Sequence, residues 1–234
     1  MVRFFPDYRS MSSVAADLIV GAGKGAFSTR GRFDLVLSGG STPRLAYEII
    51  AERYGDADDL WSATHVWWSD ERCVLPDDEA SNYRMASESL LSKVAVADEN
   101  VHRIPAEEPD HDAVASRYAA EFPDTIDALL LGLGPDGHTA SIFPGSNAES
   151  EFWAPFVAVE GPPSTTQPRQ RITITPAGLM RAPDLIFLVS GEGKSDAFRS
   201  VFLSEAAPFL TARMARGSTW LVDRNSVAEF LSSL

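Results

Sequence analysis

Short apolar runs separated by amphipathic stretches recur from residue 33 to residue 222, and this alternation restricts the fold more than any other feature of the chain. The runs are Phe33–Leu37 (FDLVL), His65–Trp68 (HVWW), Ala128–Leu131 (ALLL), Phe156–Val159 (FVAV), Arg171–Thr175 (RITIT), Leu185–Val189 (LIFLV) and Thr219–Val222 (TWLV). At four or five residues each suits a strand rather than a helix. Several are apolar at every position, the pattern of a strand covered on both faces. RITIT alternates and reads as a half-buried or edge strand. Helical patterns fill the intervals at Asp7–Phe27, Pro43–Tyr54, Ser81–Leu91, Asp110–Phe122 and Lys194–Leu203. Ser41-Thr42-Pro43 supplies a capping hydroxyl and a proline at a helix start. No linker, composition shift or repeat divides the chain. The expectation is an α/β fold: one domain over residues 1–234, a three-layer αβα arrangement with a mainly parallel, Rossmann-like central sheet and helices on both faces.

Charge narrows the function. Twenty Lys and Arg against thirty-three Asp and Glu leave a net charge of −13 over 234 residues. Such a surface repels phosphate backbones, so nucleic acid is not an expected partner. A small anionic substrate remains admissible if a basic pocket is cut into the acidic field. One cysteine, Cys73, excludes an intrachain disulfide and a cysteine-based zinc cage. The opening MVRFFPDYRS has no apolar core of a signal peptide, and no apolar run approaches the ~18 residues of a membrane span. A cytoplasmic protein with no membrane partner is expected.

In parallel sheets ligands bind beyond the carboxyl ends of the strands, so the residues after each run carry the functional information. After FDLVL stands Ser38-Gly39-Gly40-Ser41-Thr42-Pro43. Glycines that let backbone approach a ligand, and free N–H groups at a helix start, suit an anion or a polar sugar. A tight strand-to-helix turn would look the same. After HVWW come Ser69-Asp70-Glu71-Arg72, which are acid/base and anion-binding groups or else a solvated loop. Asn82 opens the next helix and reads equally as a cap.

After ALLL stands Gly132-Leu133-Gly134-Pro135-Asp136-Gly137-His138. Its G-x-G-x-x-G spacing is not a dinucleotide site, because Pro144-Gly145 interrupts the crossover helix that such a site needs. His138, with Asp136 two residues before it, is a natural general base for activating water, or a histidine that hydrogen-bonds within its turn. No His, Cys, Asp or Glu spacing around it suggests a metal. Lys194, in SGEGKS, fails the P-loop pattern because Leu188 occupies the first glycine position, yet it remains a lysine at a strand-to-helix turn. Arg171 opens RITIT. Gly21-Ala22-Gly23-Lys24-Gly25 follows no strand and lies inside or at the end of the first helix, where it reads as a helix terminus.

In their order and spacing LVLSGGSTPRLAYE (35–48), WSDERCVLPDDEASNYRM (68–85), LLLGLGPDGHTASIFPG (129–145), RITIT (171–175), SGEGK (190–194) and WLVD (220–223) resemble the glucosamine-6-phosphate isomerase/6-phosphogluconolactonase superfamily over nearly the whole chain. Two departures point to its lactonase branch: Phe143 stands where the deaminases carry a catalytic glutamate, and Arg72 where they have a tyrosine. Leu179-Met180 departs from the Leu-Asn pair usual in the lactonases. The resemblance implies hydrolysis of 6-phospho-D-glucono-1,5-lactone to 6-phosphogluconate, in the oxidative pentose phosphate pathway, without cofactor, metal or covalent intermediate. His138 would be the base and Asp136 its orienting partner. Gly39, Gly40, Ser41, Thr42, Asp70, Asn82, Arg72, Arg171 and Lys194 would bind substrate, the last three its phosphate. The expected partner is the small sugar phosphate alone, with the chain a monomer or weak homodimer. The rivals are an aldose-phosphate isomerase/deaminase and a sugar-phosphate sensor without catalysis.

Overall fold

The computed structural model describes residues 1–203 and 217–232. Its elements run β1 (Val2–Phe5), α1 (Tyr8–Arg30), β2 (Phe33–Leu37), α2 (Ser41–Tyr54), α3 (Asp58–Ser62), β3 (Thr64–Trp68), β4 (Asp70–Arg72), α4 (Asn82–Ser89), α5 (His111–Glu121), β5 (Ala128–Gly132), β6 (Phe156–Glu160), β7 (Gln170–Ile174), α6 (Pro176–Leu179), β8 (Leu185–Val189), α7 (Ser195–Leu203) and β9 (Thr219–Asp223). Six strands form a sheet in the order β1-β9-β8-β5-β2-β3, parallel throughout. Helices surround it. α1 and α2 pack on one another and against the sheet. Tyr118 of α5 and Phe122 just after it meet Trp67 of β3, and Phe198 of α7 packs edge-on to Trp220 of β9. β2 is buried at all five positions, as its unbroken apolar sequence requires. No described helix is long and apolar enough to cross a membrane.

The chain steps from β2 outward to β3 and later resumes on the other side of β2 with β5, β8 and β9. The order therefore reverses between β2 and β5, where the loops leaving the two strands diverge and open a crevice.

Two of the expected strands are not in this sheet. FVAV and RITIT join an unexpected strand, β4, in a second, antiparallel sheet of three strands ordered β4-β7-β6. RITIT is thus the central strand rather than an edge, and Arg171 to Ile174 are buried. Its polar positions point inward, to the site described below, which is why their alternation mimics a solvent-facing strand. Ser69 couples the two sheets: its N–H donates to Leu37 O at 2.8 Å, and its C=O accepts from Ile174 N at 2.7 Å. β1 is a further strand that the pattern of apolar runs does not announce. α1 runs on to Arg30 and ends at Gly31 in a left-handed cap with φ of 68°. Of the two places the sequence allows for Gly21–Gly25, inside the first helix or at its end, the structure has the first, and Gly23 lies so close to the Phe33 ring that a Cβ would sit 2.8 Å from it.

Candidate active site

The β2–α2 loop forms one wall of the crevice. Tyr47 OH accepts from Ser38 N and donates to Ser38 O, both at 3.0 Å, which fixes the chain where it leaves β2. Gly39 then passes against Asn82, whose Oδ1 would lie 1.7 Å from any Cβ placed there. Gly40, with φ of 90°, is the N-cap of α2, and no side chain caps that helix. The expected hydroxyl cap from Ser41 or Thr42 is therefore absent. The left-handed glycine starts the helix at Ser41, and the first-turn N–H groups are left for a ligand or water.

β4 and β7 supply a second wall. Successive side chains of a strand point to opposite faces, so Asp70 and Arg72 share one face and Glu71 takes the other. Asp70 pairs across the ladder with Thr173, and Arg72 with Arg171. Like charges directly opposite are unfavourable, and here both guanidinium groups are incompletely satisfied. Arg72 Nη1 donates to Ala80 O at 2.5 Å and Arg171 Nη2 to Thr166 O at 3.0 Å. Arg72 Nε and Arg171 Nη1 are buried without a partner. Burial, then the neighbouring charge of Arg72, pushes the Arg171 guanidinium below its ordinary value. An anion bridging the pair would relieve both the repulsion and the orphaned donors.

Asp70 accepts from Ser69 Oγ at 3.3 Å and Ser141 Oγ at 2.7 Å. Glu71 is a structural hub. Its carboxylate accepts from Arg72 N and Asn82 N at 2.7 Å, Tyr83 N at 2.8 Å and Ser81 Oγ at 3.1 Å. Burial holds that carboxyl above its ordinary range despite the backbone donors. Ser81 rather than Asn82 caps α4, accepting from Arg84 N at 3.1 Å. Asn82 instead donates through Nδ2 to Asp70 O at 2.8 Å, and its buried Oδ1 has no partner.

The turn after β5 carries His138. Its Nδ1 hydrogen-bonds to Asp136 Oδ1, which also accepts from His138 N at 3.1 Å. Burial raises the Asp136 carboxyl, but the hydrogen bonds and charge of His138 outweigh it and hold the group below its ordinary value. In a neutral imidazole a carboxylate on Nδ1 favours the proton there, which would leave the lone pair on Nε2. Gly134 makes room for the ring, since a Cβ there would lie 2.2 Å from Nδ1. Phe143 packs on the imidazole with centroids 4.8 Å apart. Ala140 has φ of 48°, a left-handed conformation that costs an alanine about 1 kcal/mol or more.

Lys194 stands just ahead of α7 and donates from Nζ to Leu133 O at 2.7 Å. Burial lowers its ammonium, against the opposing pull of Asp136.

Two adjoining cavities join these parts. The first, of 240 Å³, is lined by Gly39, Gly40, Ser41, Thr42, Asn82 and Lys194. The second, of 470 Å³, is lined by Asp136, Phe143 and Arg171. Asp70, Arg72, Pro135, His138 and Ala140 belong to both. The three basic residues do not meet at one point: Arg72 links the cavities, while Lys194 and Arg171 serve one each. Ser141 and Thr173 escaped sequence reasoning. Nothing in the spacing marks them, because their partners lie far along the chain. Among the described residues, no group of three or more His, Cys, Asp or Glu side chains is placed to hold a metal ion.

The arrangement defines a class: a doubly wound α/β protein whose switch-point crevice holds a histidine–carboxylate pair and cations prepared for an anion. The family model described as glucosamine-6-phosphate isomerases/6-phosphogluconolactonase matches residues 6–221. The chain is 32% identical to a 6-phosphogluconolactonase of Mycobacterium tuberculosis across 99% of its own length and 98% of the relative's. With one of Nostoc sp. the identity is 36%, over 88% and 86%. The 6-phosphogluconolactonase structure from Trypanosoma cruzi superimposes with a TM-score of 0.87 at 26% identity, covering 99% of this chain and 96% of that one. A monomeric glucosamine-6-phosphate deaminase shares the fold, with a TM-score of 0.81 at 20% identity, covering 98% of this chain and 99% of that one. The chain belongs to the glucosamine-6-phosphate isomerase/6-phosphogluconolactonase family.

Proposed function

We propose that the protein is a cytoplasmic 6-phosphogluconolactonase, one domain over residues 1–234 acting as a monomer or weak homodimer, that hydrolyses 6-phospho-D-glucono-1,5-lactone without a metal or cofactor. The observation that carries this is the Asp136–His138 pair, which leaves Nε2 as a base beside Arg72 and its unpartnered guanidinium donor. Water between Nε2 and the lactone carbonyl attacks C1 as the imidazole takes its proton. The N–H groups of Gly39–Gly40 and the uncapped first turn of α2 receive the developing oxyanion or hold sugar hydroxyls. Collapse of the tetrahedral intermediate breaks the bond to the ring oxygen, which takes the proton back from the imidazolium and leaves as the C5 hydroxyl. Arg72 and Arg171 hold the phosphate across the second cavity, Lys194 reaches towards it from the first, and Asp70 and Asn82 stand beside the sugar. Binding energy from that remote group fixes the carbonyl against the base.

The apolar Phe143 ring on the imidazole favours this reaction over amino-sugar isomerisation, which needs further acid/base groups at the ring.

The test generates the lactone in situ from glucose 6-phosphate and follows its disappearance. The wild type is expected to exceed the spontaneous rate, and His138→Ala to lose about 10²–10⁴-fold while still binding 6-phosphogluconate. A wild-type rate equal to buffer would refute the lactonase. Ammonia release from glucosamine 6-phosphate would then identify a deaminase, and ligand binding alone a sensor.

A further inference from the structure

The turn that carries His138 is gripped by the second sheet through one residue that takes no part in the hydrolysis above. Ser141 is buried. Its hydroxyl donates to Asp70 Oδ2 at 2.7 Å and its backbone N–H to Thr173 Oγ1 at 3.1 Å. Asp70 and Thr173 are cross-strand partners, and the Arg72–Arg171 pair lies two residues further along the same ladder. Side chains two apart share a face at a spacing of roughly 7 Å. One serine thus holds the very face of the small sheet from which both guanidinium groups project. Between His138 and Ser141 stands Ala140, the one non-glycine residue with a left-handed backbone among those described. An alanine keeps that conformation only where its surroundings impose it, and the two bonds of Ser141 lie immediately after it.

We propose that Ser141 is a positioning residue: by clamping the His138 turn to Asp70 and Thr173 it sets the base at a fixed reach from the anion-holding arginines. This rests on the lactone hydrolysis proposed above. Misplacing a base by about an ångström slows the chemical step far more than it weakens binding of a distant phosphate. Loss of the clamp therefore lowers kcat and spares KM.

The experiment compares wild type, Ser141→Ala, Thr173→Val and the double variant Ser141→Ala/Ala140→Gly. Each is measured for lactone hydrolysis, affinity for inorganic phosphate and amide exchange across residues 136–142. Ser141→Ala is expected to lose tenfold or more in kcat, with KM and phosphate affinity within twofold, and to speed exchange in the turn about tenfold. Thr173→Val, which removes one of the two bonds and keeps the serine, should shift the same way by less. Glycine at position 140 accepts the left-handed backbone freely, so the double variant should recover threefold or more of the lost kcat. A kcat within threefold of wild type, or equal losses in kcat and phosphate affinity, would overturn the clamp. If the wild type leaves the lactone at its spontaneous rate, the lactonase falls. The exchange data then decide the clamp by themselves, and unchanged exchange in Ser141→Ala refutes it.

Discussion

Asp136 and His138 sit two residues apart, and their hydrogen bond sets which imidazole nitrogen faces the cavity. Asp136→Asn keeps the shape of that turn but no longer stabilises the imidazolium or selects the tautomer. Its kcat is expected to fall about 10²-fold or more with KM little changed, measured in the lactone assay. Gly39 is a stricter position, since any Cβ there meets Asn82 Oδ1 at 1.7 Å. Gly39→Ala must push the amide off Asp70 O, costing about 1–3 kcal/mol and lowering the melting temperature by roughly 2–4 °C per kcal/mol. Residues of this kind were legible because glycine, histidine and arginine declare themselves at strand ends. Ser141 was not, because a serine three positions past a histidine looks like any turn residue until Asp70 is folded against it.

At the scale of elements, the apolar strands declared themselves and the charged one did not. FDLVL and LIFLV lie in the central sheet as expected, since a run buried on both faces has no other use. β4 reads Asp70-Glu71-Arg72 and has no apolar residue to signal a strand. It is one because Asp70 and Arg72 face the cavities while Glu71 turns back to tie the start of α4. Glu71→Gln places an amide N–H₂ against buried donors. A loss of about 1–3 kcal/mol is expected, read as a lower denaturant midpoint at unchanged slope. Arg72 and Asn82 flank this hub, so substrate affinity should fall in the same variant. RITIT misleads for the mirror-image reason: its polar Arg171 and Thr173 are buried, whereas alternation ordinarily means solvent.

Across the whole molecule, pH also acts through a histidine pair that lines neither cavity. His65 Nδ1 and His102 Nε2 are 2.9 Å apart, and the His102 ring stacks on Trp67. Burial, then the charges of His65 and Arg32, pushes His102 down to about 4, with Asp34 opposing. Burial and Arg32 also lower His65. Both have an ordinary value of 6.5 in the unfolded chain, which therefore binds more protons than the folded one below that pH. Stability is expected to decline as pH falls from 6.5 towards 4, by about 1 kcal/mol once solvent screening of these half-exposed rings is allowed for. Urea midpoints across that range measure it, and His102→Gln should flatten the slope.

β1 pairs along its length with β9, Val2 beside Trp220 through Phe5 beside Asp223. On a ribosome β1 emerges before the other described strands, and its described neighbour β9 only after them. Until β9 emerges, the β8 edge of the six-stranded sheet stays open. The order of manufacture, rather than the strength of any contact, decides when this protein can close.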